Sequence, residues 1–121
     1  MTRSAEEFQK RTRDFAVRVI KMVNQLPNSR ASDVIGKQIL RSATSVGANY
    51  RAACRARSSA EFRAKLGIVE EEGDECCYWL ELLGESEIVS KHLLVELQKE
   101  ANEITAMVVA SIRTSKEQNK R

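Results

Sequence analysis

Apolar residues recur every three or four positions along almost the whole chain, which is the spacing of an amphipathic helix rather than a strand. In the first segment, about 4–26, Phe8, Phe15, Val19, Met22 and Leu26 define one face, and Leu26-Pro27 ends it because proline disfavours a helical residue before it. The second, about 32–56, carries Ile35, Ile39, Ala43, Val46, Tyr50 and Ala53. Small residues crowd it, among them Ser42, Gly47 and Ala48. Gly47 inside a helix costs about 1 kcal/mol relative to Ala. Close approach of a neighbouring helix is its natural explanation.

The third segment, about 58–85, opens on Ser58 and Glu61 in a capping-box pattern. Its stripe of Phe62, Leu66, Val69, Gly73, Cys76, Leu80 and Leu83 alternates steps of four and three, the most regular pattern in the chain. A break around Gly84–Val89 precedes the fourth segment, about 90–114, with Leu93, Leu97, Ala101, Ile104, Val108 and Ile112. Residues 115–121 are polar and read as a frayed tail. Four helices of about 35–40 Å with short connections predict an all-α, up-down-up-down antiparallel four-helix bundle, one domain over residues 1–121.

Composition narrows this further. With 5 Gly and 1 Pro in 121 residues, the turn-rich all-β classes are excluded. The longest uncharged runs, Ser42–Tyr50 and Ile104–Ile112, are too short to cross a membrane. The early charges Arg3, Glu6, Glu7 and Lys10 leave no apolar signal region, so the expected location is cytoplasmic, with no membrane partner. Cys54, Cys76 and Cys77 are odd in number and do not form a disulfide framework.

Charge changes the picture most. Residues 29–57 hold six basic and one acidic residue, and residues 58–87 hold two basic and nine acidic, so a basic helix precedes an acidic one. Arg41, Arg51 and Arg55 share one face of the second helix, and Arg57 follows. On the third helix Ile68, Glu72, Glu75, Trp79 and Leu82 form a second stripe beside the core stripe. A monomeric bundle needs only one apolar face per helix, so a mixed second stripe holding the only Trp predicts a subunit interface. The competing reading is a broad core stripe with a solvated acidic edge. The single His, His92, lacks the Glu-x-x-His spacing of bundle metal sites, and successive acids at 70–75 point around the helix. No pattern of catalysis, metal or cofactor binding is present, and a non-enzymatic protein without cofactors is expected.

Arg41-Ser-Ala-Thr-Ser-Val-Gly-Ala-Asn49 resembles the second-helix signature of the bacterial 23S rRNA intervening-sequence, or S23-type, proteins. Tyr50–Arg57, Glu61-Phe62, Lys65–Glu72 and Tyr78–Leu83 extend the resemblance, which covers about 8–114. Many members carry Asn-Ile-Ala-Glu-Gly where this chain has Asn49-Tyr-Arg-Ala-Ala53, a departure that places it in a different branch. The resemblance implies a ring-like homopentamer with no catalytic residues. It also implies kinship with the accessory protein of diversity-generating retroelements, which engages nucleic acid and a reverse transcriptase through basic residues. Arg41, Arg51, Arg55 and Arg57 are then the candidates for contacting RNA or DNA. In an adaptor that binds only protein, the same arginines would instead pair with Glu72 and Glu75 of a neighbouring subunit.

Overall fold

The computed structural model describes residues 1–120. Four helices follow in order: α1 (Arg3–Val23), α2 (Arg30–Cys54), α3 (Ser59–Glu85) and α4 (Lys91–Asn119). No strand occurs among the described residues. Each of the first three helices starts at a hydroxyl that satisfies an otherwise unpaired backbone donor. Thr2 accepts from the Ala5 amide, Ser29 from Ser32 and Ser58 from Glu61. The Glu61 carboxylate completes the turn by accepting from the Arg57 amide at 3.2 Å, one residue before the cap.

Successive helices pack side by side as an up-down-up-down antiparallel bundle, with α2 against α1 and α3, and α3 against α4. The ring of neighbours closes only sparsely between α1 and α4. Phe15, Val19, Ile39, Leu66, Leu80, Leu83 and Ile104 are fully enclosed along the axis. Thr12 fills the gap in the α1 stripe between Phe8 and Phe15, and its hydroxyl donates to the Gln9 carbonyl at 2.8 Å. A Cβ placed on Gly47 would lie 3.4 Å from Thr12 Oγ1, so the glycine accommodates the α1–α2 crossing.

Three boundaries differ from the periodic reading. Helix α2 begins at Arg30, because Ser29 caps it and its Oγ also donates to Ser32 Oγ at 2.9 Å. Helix α1 ends at Val23, three residues short of Leu26-Pro27, with Asn24 as its C-cap, whereas the α3–α4 turn falls within the expected break, where Glu87 takes the left-handed conformation at φ 63°. At the other end, the tail is helical to Asn119 rather than frayed from Ser115. Ser115 is buried and accepts from Arg63 Nη1 at 3.2 Å, which gives the last turns of α4 a surface to lie on. Arg121, part of the expected tail, lies outside the described residues. Within α4 the inward residue is Leu94, fully buried, and Leu93 faces out at 64% exposure.

Candidate nucleic-acid interface

The four arginines of the candidate site fall into two environments. Arg41, in the middle of α2, reaches across to α3 of its own chain. Its Nη1 donates to Glu72 Oε2 at 2.7 Å and its Nη2 to Glu75 Oε1 at 2.9 Å, so one guanidinium bridges two carboxylates a turn apart. These three residues are brought together inside the subunit; Arg41 is not left on a free basic face, and its pairing needs no neighbouring subunit.

Glu72 is buried while Glu75 is partly exposed, and their titrations move apart accordingly. Burial pushes the Glu72 carboxyl above the usual carboxylate range, and a hydrogen bond with Glu75 adds to the rise. The same hydrogen bond, followed by the Arg41 contact, holds Glu75 below that range. Nearby, Asn49 donates to the Ser45 carbonyl at 3.0 Å and to its hydroxyl at 2.9 Å, so the polar residues of the signature brace the α2 backbone.

Arg51 and Arg55, at the end of α2, and Arg57, in the α2–α3 turn, are exposed. Their guanidinium groups make no hydrogen bond or ion pair with another described residue. Antiparallel packing puts this turn at the same end as the start of α1 and the finish of α4, which together line one cleft. The half of the bundle at that end (1–13, 42–72 and 105–120) holds twelve basic and seven acidic residues. The opposite half (14–41 and 73–104) holds seven basic and ten acidic. The molecule is thus polarised along its axis, from +5 to −3.

The second stripe of α3 is divided by the structure. Glu72 is consumed by Arg41, and Trp79 is half-buried and packs against the core. Its indole Nε1 is enclosed and has no acceptor among the described residues. Tyr78 stands edge-on to Trp79 with ring centroids 5.1 Å apart and is itself exposed. Ile68 is exposed at 38% and Leu82 is half-buried, so an apolar margin stays on the outer side of this helix.

A further charged cluster was invisible to helical periodicity because its arginine lies 89 or more residues from its carboxylates. Arg11 on α1 donates to both oxygens of Glu100, at 2.8 and 2.6 Å, and to Glu103 at 2.8 Å. This clasp joins α1 to α4 across the sparse seam. Elsewhere the cysteines are unpaired, and burial drives the Cys76 thiol up to about 12. His92 is exposed in the first turn of α4. Among the described residues no group of three or more His, Cys, Asp or Glu side chains could hold a metal ion, and no helix is long and apolar enough to cross a membrane.

Four long helices around one apolar axis define a small four-helix bundle protein. The chain belongs to the 23S rRNA-intervening sequence protein family, which matches residues 5–110. It is similar, at 36% identity and a TM-score of 0.83, to a crystallised protein of unknown function from the S23 ribosomal protein family of Bacteroides thetaiotaomicron. That likeness covers 90% of this chain and 97% of the other. No match was found among curated proteins.

Proposed function

We propose that this protein is a non-enzymatic, homo-oligomeric scaffold that holds nucleic acid through the arginines at its basic end. The observation that carries the reading is the separation of the arginines. Arg41 is neutralised within its own chain, whereas Arg51, Arg55 and Arg57 are exposed and uncompensated at the end with the net positive charge. Such a cluster attracts phosphates over about 8 Å at physiological salt and reads little sequence. The nearby aromatics Phe8, Tyr50 and Phe62 line a cleft rather than an outer platform, so contacts to the backbone of a structured polyanion suit the cluster better than single-strand base readout. The family's description names 23S rRNA and the Bacteroides protein's names a ribosomal protein family, so structured RNA is the first polyanion to test.

The test is a salt titration of binding to structured RNA and to duplex DNA, by the natural chain and by Arg51→Glu/Arg55→Glu. Expected are binding that weakens steeply with salt, and a flatter salt slope with lower affinity in the double variant. Absence of binding by the natural chain even at low salt would reject the reading in favour of a protein-binding adaptor. Dissociation of the double variant into subunits would assign those arginines to assembly instead.

A further inference from the structure

The seam between α1 and α4 is closed at mid-length by the Arg11 clasp and gapes beyond it, toward the basic end. There the facing positions are short, Ser4 and Ala5 on α1 against Ala110, Ser111 and Thr114 on α4. Side chains of that size cannot span two helices, and an open cleft of about 890 Å³ remains. That is within the size range of small-molecule pockets, roughly 300–1,000 Å³.

The floor of the cleft is aromatic. Phe8 of α1 and Tyr50 of α2 meet edge to face with centroids 4.6 Å apart, and Phe62 of α3 lies beside them. Among the described residues Arg57 is the only one with a charged side chain that lines the cleft, its guanidinium holds no described partner, and the surrounding half of the bundle is net positive. A trough with an aromatic floor, hydroxyls such as those of Ser58, Ser111 and Thr114 among its lining, and the cationic side chain of Arg57 is complementary to a molecule with a hydrocarbon chain and a single negative head.

We propose that the cleft binds a free, single-chain amphipathic carboxylate. The chain lies over Phe8, Tyr50 and Phe62, and the carboxylate pairs with the Arg57 guanidinium. The site shares Arg57 with the proposed nucleic-acid surface and otherwise uses the seam, so Ala110→Trp, which leaves all three arginines in place, separates the two readings.

Titration calorimetry with sodium dodecanoate below its micellar concentration tests this on the full chain. Decanoate and dodecyltrimethylammonium serve as comparisons. Dodecanoate is expected to bind, with affinity rising about fourfold per added methylene, and the cation of equal chain length to bind at least tenfold more weakly. Ala110→Trp, which fills the cleft from an exposed position, should abolish binding. Arg57→Glu should weaken it at least tenfold, with circular dichroism unchanged in both variants. Absence of dodecanoate binding at 1 mM would overturn the proposal. So would equal binding of the cation, or affinity indifferent to either substitution.

Discussion

Glu72 and Glu75 are chemically identical and one helical turn apart, yet the structure gives their charges opposite consequences. Folding raises the affinity of Glu72 for a proton, so its ionised form opposes folding at neutral pH and this opposition fades on acidification. Folding lowers that of Glu75, so its charge supports the fold above the carboxylate range and the support is lost as pH falls through it. Glu72→Gln should therefore leave the thermal midpoint at pH 7 equal to or above that of the natural chain, the gain disappearing toward about pH 4. Glu75→Gln should lower the midpoint at pH 7 and converge with the natural chain over the same interval. Melting curves at several pH values check both, and midpoint shifts of one sign for the two variants would refute this assignment of charges.

At the scale of helices, α3 comes close to α4 at Gly73, where a Cβ would overlap Thr105 Oγ1. Swinging Thr105 clear would break the hydrogen bond that its hydroxyl donates to the Ala101 carbonyl at 2.8 Å. Gly73→Ala should cost about 1–3 kcal/mol of stability by overpacking, despite the better helix propensity of alanine. Adding Thr105→Ala should restore most of the loss, a non-additivity that a double-mutant cycle in denaturant measures. All four helices and nearly all their inward residues were legible in the sequence, because burial imposes a period that the chain must carry. Leu93 and Leu94 show the limit: adjacent leucines satisfy the spacing equally well, and only packing against α3 selects the second. Of the site, the candidate arginines were identifiable as a group but not as two populations. Whether Arg41 meets a carboxylate of its own chain depends on how α2 and α3 align, which their separate patterns do not encode. The Arg11 clasp and the cleft beyond it depend on the first and last helices meeting, which is beyond the reach of any local pattern.

At the scale of the whole molecule, an outer margin of Ile68, Leu82 and exposed Tyr78 on α3 supports our proposal of self-association. Light scattering is expected to give a multiple of 13.6 kDa, fivefold for the ring-like pentamer that the family resemblance implies. Ile68→Lys, at an exposed position that the core does not use, should shift the mass toward one subunit with helicity intact. A 13.6 kDa particle at micromolar concentration for the natural chain would eliminate the assembly. The uneven distribution of charge along the bundle axis bears on any such ring. Rotational symmetry repeats each subunit without inverting it, so subunits whose axes lean along the ring axis add their electric dipoles instead of cancelling them. The assembly would then be two-faced, one rim cationic and the other anionic. It would land on a polyanionic strand with a fixed side down and leave its opposite rim open to partners of the other sign.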